Sequence, residues 1–472
     1  MTESSVALAP PSGGFWADVR DALRGVHHDY TDGPIGRAVL LLAVPMVLEM
    51  VMESIFAVVD VFFVSKLGAD AVATVGLTES LLALVYTVAM GLAIGVTATV
   101  ARRIGERDPE AAARTAVQGI LLGIIVSVGI AAIGIVFAED LLRLMGASPG
   151  VIATGAGYTR VMLGGNGIIL LLFLINAAFR GAGDAAIAMR VLWAANLINI
   201  VLAPSLIFGV GPLPELGVTG AAVGTTIGRG TGVLLQLWLL TRPGRRVQVA
   251  RRHLVADPAL MWRLVRLSAT GMLQILIATA SWIGLVRVIA TFGSSALAGY
   301  TIGIRVILFA LLPSWGLSNA AATMVGQALG ARKPERAERA VWIAGGYNAV
   351  FLGIVGVAFV IGAPWIVRLF TQDPEVIPIA SACLRIVALG FPFYAYGMVL
   401  TQSFNGAGDT WTPTLLNLLC YWCLEIPLAW FLARQAGLGP TGAFIAIMAA
   451  FSMIAVLSAV LFRRGRWKRR VV

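Results

Sequence analysis

Long apolar stretches, separated by short polar or glycine- and proline-rich breaks, recur along nearly the whole 472-residue chain. About 20 apolar residues cover a hydrocarbon core of roughly 30 Å, and twelve stretches reach that length. They fall near 38–65, 72–100, 115–137, 153–179, 187–209, 218–241, 265–290, 297–325, 341–363, 377–404, 412–433 and 441–462. The pattern predicts an all-α polytopic membrane protein with twelve transmembrane helices. Residues 1–36 form a polar amino-terminal segment, 37–241 and 261–463 two six-helix lobes, 242–260 a basic linker and 464–472 a basic tail. In the first segment, Asp18 to Arg24 suits a short interfacial helix, and no apolar core with a small-residue cleavage site marks a cleaved signal peptide.

The first stretch breaks the apolar pattern in an ordered way. Between Leu40 and Leu67 it carries Glu49, Glu53 and Asp60, spaced by four and seven residues. At about 100° per residue these three acids share a face roughly 40° wide. A charged carboxylate at the bilayer centre costs about 2.5–3.5 kcal/mol on the mildest scale, so such groups face protein or water and are functional candidates. The other acids within spans are Glu79 in the first half and Glu425 in the second. Asp60 and Glu79 fall at similar depth. Arg229, mid-span, is the natural partner of Glu49 or Glu53, and Glu425 and Arg305 form a candidate interhelical pair. Asn166, Asn176, Asn196 and Asn199 can hydrogen-bond an acidic cluster.

Composition agrees with the pattern. Only 12% of residues are charged and mean hydropathy is +0.88, against about 25% charged in a soluble domain. A net charge of +11 could suit nucleic acid, but the basic residues sit in short loops, which points to topology and no nucleic-acid partner. One set of loops and the tail holds 23 of them, including Arg102, Arg103, Arg245, Arg246, Arg336 and Arg470. The opposite loops hold Lys66, Arg143, Arg368 and Arg434. Both termini are therefore expected on the cytoplasmic side of the membrane. Cys420 and Cys423 lie in an apolar run and read as packing. The three histidines lack ligand spacing, so no metal site is expected.

The chain is also internally doubled. FRGAGD at Phe179 to Asp184 returns as FNGAGD at Phe404 to Asp409, an offset of 225 that also carries Gly105, Arg107, Pro109, Glu110 and Arg114 onto Gly330, Arg332, Pro334, Glu335 and Arg339. Six spans per copy place both halves the same way up, a transporter architecture with its site between the halves. Acid content is lopsided. Leu285 stands where the offset puts the partner of Asp60, so the first lobe is expected to handle the ion.

Several motifs together resemble the multidrug and toxic compound extrusion (MATE) family: VPMVLEMVMESIFAVVDVFFVSKLG, the turns IGERDPEAAAR and LGARKPERAER, RGAGD after the fourth span, and LGVTGAAVGT opening the sixth. The likeness runs from about Gly33 to Arg464 and recurs in both halves. It implies a bacterial inner-membrane antiporter that exports organic, often cationic and amphipathic, compounds against H+ or Na+, with no cofactor beyond the transported ion. By the same resemblance, Asp60 matches the acid at the centre of the N-lobe cation site. Pro45 matches a proline whose helix changes from straight to bent, and Asn199 the asparagine of an N-x-x-x-D-P stretch. Ala203 stands where relatives often carry aspartate, which favours H+ over Na+. Glu79 can supply the missing charge, with Glu53 alongside.

Two other classes share parts of this pattern. A flippase for a lipid-linked saccharide shares the two-lobe design but tends to extra spans and a cationic cavity. An intramembrane aspartyl protease uses a Gly-x-Gly-Asp element, yet both GAGD copies sit at loops and read as tight turns and helix caps. The expected partners are small drug-like molecules and the lipid bilayer, with the chain acting as a monomer.

Overall fold

The computed structural model describes residues 14–26 and 28–470. Its twelve long helical segments are α1 (Ile35–Ser65), α2 (Ala69–Gly105), α3 (Pro109–Val136), α4 (Pro149–Ala182), α5 (Ala185–Phe208), α6 (Val218–Thr241), α7 (Pro258–Ala290), α8 (Ser294–Gly330), α9 (Pro334–Arg368), α10 (Val376–Leu389 and Phe391–Gly406), α11 (Trp411–Gln435) and α12 (Pro440–Arg463), and all but α6 are long and apolar enough to cross a membrane, the bent α10 counted as one. A short helix, Phe15–Arg24, precedes them. It begins three residues before the expected interfacial segment.

Several spans run past their apolar stretches at the end that carries the basic loops. Asp108 accepts from the Ala111 amide at 2.9 Å and Asp257 from the Leu260 amide at 3.0 Å, each with proline next in sequence. Capping and a proline in the first turn start a helix before its apolar face begins, so hydropathy alone places these ends too late. The sixth span is rich in glycine and threonine and holds Arg229; its boundaries nevertheless match the expected ones.

The doubling is visible in local geometry. Arg160 Nε donates to the Ile135 carbonyl at 3.2 Å, and Arg385 Nε to the Val360 carbonyl at 3.0 Å, all at the same offset. Arg107 and Arg332 take matching left-handed conformations, φ 60° and 57°. α4 breaks at Gly165 and α10 bends by 61° at Gly390, again equivalent positions.

One apolar core fills each lobe, and a third joins the lobes at the basic end, where Leu42 and Met46 of α1 meet Ala320 and Val325 of α8. Gly316 of α8 lies so close to α1 that a Cβ there would stand 2.5 Å from the Met46 carbonyl oxygen. That approach is one residue beyond Pro45, which is buried within α1 and cannot donate to the preceding turn. Among the described residues, every hydrogen bond between the lobes lies toward the basic end, such as Thr323 Oγ1 to the Arg180 carbonyl (3.2 Å) and Gln327 Nε2 to the Gly181 carbonyl (2.9 Å). The segment between the first helix and α1 ties the same end together. Arg336 donates to the carbonyls of Tyr30, Asp32 and Gly33 at 2.7–2.9 Å, while Tyr30 Oη donates to Gly183 at 3.2 Å.

The tail packs onto the fold, with Trp467 fully buried and stacked on Phe462 with 4.4 Å between ring centroids. The GAGD segments form the expected tight turns, but the expected cap at Asp184 is absent. Gly183 and Gly408 take positive φ, 87° and 82°, as tight turns require. Asp184 makes no side-chain cap; its carboxylate pairs with Arg246 at 3.6 Å, and Asp409 pairs with Arg470 at 3.1 Å. Each arginine follows the last span of its half, so the turns are ionic staples as well as bends.

Candidate ion-coupling site

All three acids of α1 turn toward the first lobe, but they meet different neighbours. Glu49, 2% exposed, accepts from Asn176 Nδ2 at 3.2 Å and pairs with Arg180 at 3.4 Å. Gln236 of α6 donates to Asn176 Oδ1 at 2.5 Å and extends the chain. Glu53 pairs with Arg229 Nη2 at 2.9 Å and accepts from Asn196 at 3.1 Å. Arg229 also donates to Tyr86 Oη at 3.0 Å and lies over the Phe56 ring at 5.4 Å. Of the two partners expected for Arg229, Glu53 is therefore the one it takes. Both acids are neutralised by fixed guanidinium groups, as buried charges require.

Asp60 differs. Among the described residues it has no ion pair and no hydrogen bond. It is half-buried, and the charged groups acting on it are Glu79 and Arg229. The Tyr158 hydroxyl, on α4, lies in the field of Asp60, Glu79, Tyr86 and Arg229 together. Glu79 is exposed on α2, and the cation whose field reaches it is Arg305 of α8, in the other lobe. The charge of Glu79 thus acts on Asp60 from the next helix.

The asparagines divide by role. Asn176 and Asn196 bind carboxylates. Asn199 is buried and donates to Thr225 Oγ1 of α6 at 2.9 Å. Asn166 donates to the carbonyls of Ser127 and Leu163 at 3.1 and 2.6 Å, repairing the break in α4 rather than lining a cavity. Ala203 is packed against α6, where a Cβ on Gly224 would lie 2.7 Å from its Cα.

The expected Glu425–Arg305 pair does not form among the described residues. Glu425 is 3% exposed, at the end of a π-helical turn, Leu418–Glu425, and the groups that feel its charge are Tyr300, Tyr394, Tyr421 and Cys420. Arg305 is exposed and acts on Glu79 instead. Cys420 is buried, Cys423 exposed, and both are free thiols.

Sequence reading missed Arg180, Tyr86, Tyr158 and Gln236. Two had a signal: Tyr86 is seven residues beyond Glu79 and Gln236 seven beyond Arg229, which puts each pair on one helix face. Arg180 opens the RGAGD motif at the end of the fourth span, where a basic residue reads as a loop cation.

The MatE family model matches residues 45–205 and 271–431, one copy in each lobe. A chain with this two-lobed helical fold that matches the model once in each lobe is a secondary transporter, not an enzyme. It belongs to the MatE family. It is similar to the probable multidrug resistance protein NorM of Thermotoga maritima, 27% identical over 93% of this chain and 94% of that one. It is also similar to an FAD transporter of Shewanella oneidensis, 26% identical over 85% and 89%. A solved outward-facing MATE transporter matches 93% of this chain and 98% of its own with a TM-score of 0.87 and 26% identity.

Proposed function

We propose that the protein is a proton-coupled antiporter exporting organic, often cationic, drug-like compounds by alternating access, with Asp60 as the group that takes up and releases the proton. The observation that carries this reading is the contrast along α1, where Glu49 and Glu53 are held by Arg180 and Arg229 while Asp60 has no such partner among the described residues. A carboxylate beside a guanidinium is favoured in its charged form. One beside a second carboxylate, Glu79, can exchange a proton as the chamber around it changes. Na+ would want several oxygen ligands, and Ala203 offers none. Beyond this ion no cofactor is involved.

The chain sits in the bacterial inner membrane with its basic loops and both termini in the cytoplasm, and works as a monomer. Contacts between the lobes at the basic end then correspond to a chamber facing outward, where Asp60 loads its proton and substrate leaves. Rearrangement of α1 around Pro45, beside the close approach of Gly316, links that protonation to the chamber. One charge crossing 100 mV is worth about 2.3 kcal/mol and one pH unit about 1.4 kcal/mol, so a single proton supports a roughly ten-fold substrate gradient per pH unit. Glu53 serves to hold Arg229 at the site's edge.

The test is efflux of ethidium and norfloxacin from proteoliposomes under an imposed pH gradient or an imposed Na+ gradient. The reading expects the pH gradient alone to drive efflux. Efflux driven by Na+ alone sinks the proton assignment, and translocation of a lipid-linked saccharide without dye efflux would favour a flippase.

A further inference from the structure

Outside the transport site, the basic end of the first lobe holds a pocket between the helix Phe15–Arg24 and the start of α5. Three guanidinium-bearing residues line it, Arg24, Arg190 and Arg245. Its two acids are already engaged, Asp21 with Arg37 at 3.2 Å and Asp184 with Arg246 at 3.6 Å. Arg24 and Arg245 form no ion pair among the described residues, and Arg190 donates to the Leu23 carbonyl. The pocket therefore has a net positive charge that the described residues do not balance.

The helix beside it explains what would come near. Asp18 and Asp21 pin one side to Arg37 of α1, at 2.9 and 3.2 Å. At about 100° per residue, Phe15, Trp16, Val19 and Leu23 share the other side. Phe15 and Trp16 are 57% and 80% exposed. An exposed aromatic and aliphatic stripe next to arginines is the pattern of a helix lying in the headgroup layer of a membrane.

We propose that this pocket binds the phosphodiester headgroup of an anionic phospholipid, with the Phe15–Leu23 face, on the far side of the helix, resting in the surrounding bilayer. Phosphate suits the site because guanidinium groups bind its oxygens in pairs. The stripe favours a lipid over a free phosphate because it holds the helix, and the pocket beside it, at the headgroup layer of the membrane.

Full-length protein in detergent is titrated with phosphatidylglycerol and with phosphatidylcholine, bound lipid being read by native mass spectrometry. A parallel arm offers glycerol 3-phosphate as competitor. Wild type should prefer phosphatidylglycerol. Arg24→Gln and Arg245→Gln should each lower that preference roughly five-fold, the effect of about 1 kcal/mol per basic residue near a membrane surface. Neither side chain has an ionic partner among the described residues, so thermal unfolding should be unchanged in both. Combining them with Arg190→Gln should abolish the preference. A triple variant that still prefers the anionic lipid overturns the proposal. So does displacement of the lipid by equimolar glycerol 3-phosphate, which would assign the pocket to a free phosphate compound.

Discussion

The two lobes are built on one plan and carry different chemistry. Their helices start, break and turn at equivalent positions, down to the arginine that caps the Ile135 or Val360 carbonyl. Yet α1 holds three acids, whereas the position equivalent to Asp60 in α7 is Leu285, 2% exposed in an apolar core. The second lobe's single intramembrane acid, Glu425, lies among tyrosines on a different helix. The scaffold thus tolerates either arrangement, and the proposed ion-handling role follows from which residues occupy one helix face rather than from the fold. Within the first lobe the contrast repeats at smaller scale, since two of the three acids are matched by arginine and one is not.

The sharpest break of this comparison is a pair of neutral substitutions. Asp60→Asn should reduce gradient-driven dye efflux in proteoliposomes to that of protein-free vesicles, while Glu425→Gln, which keeps shape and hydrogen bonding, should leave it in place. Equal loss in both would put ion handling in the two lobes alike. Next in size, Glu53→Gln should lower stability by about 1–3 kcal/mol, because Arg229 is left charged and buried without its partner. Adding Arg229→Met should recover much of that loss, seen as a midpoint shift in detergent-solubilised thermal unfolding. Glu79→Gln should weaken rather than abolish coupling, cutting the accumulated substrate gradient up to roughly ten-fold, the effect of a one-unit change in a neighbour's proton affinity. The measure is the steady-state dye ratio at fixed pH gradient.

The smallest effect concerns the basic end. Burial, with Arg37 and Arg246 nearby, holds His28 below its ordinary pKa. The unfolded histidine therefore binds a proton more readily than the folded one, and stability present above pH 6.5 is lost as pH falls below it. His28→Gln should flatten that acid-side loss slightly in unfolding midpoints measured from pH 7.5 down to 5, a range set around the ordinary histidine value.

Much of this was legible in the sequence because bilayer physics is blunt. Twelve apolar runs, the loop charges and the repeat define the spans, and the spacing of Glu49, Glu53 and Asp60 defines the acidic face. Pairing was not legible. Arg229 had two acids within plausible reach, and only the packing of α5 and α6 around Asn196 and Tyr86 selects Glu53. Arg305 looked suited to Glu425, yet the acid that feels its charge is Glu79, in the opposite lobe. Aspartate in a GAGD turn reads locally as a cap, whereas its partners, Arg246 and Arg470, arrive from some 60 residues later. Local sequence carries helix and face, and contacts across helices need the fold.

The central claim, that Asp60 exchanges its proton against substrate, is tested most directly by proton release on substrate binding. Purified protein in weakly buffered detergent with a pH indicator should release protons when norfloxacin or ethidium is added to wild type or to Glu425→Gln, and none when it is added to Asp60→Asn that still binds the compound. Undiminished release from Asp60→Asn would contradict the account.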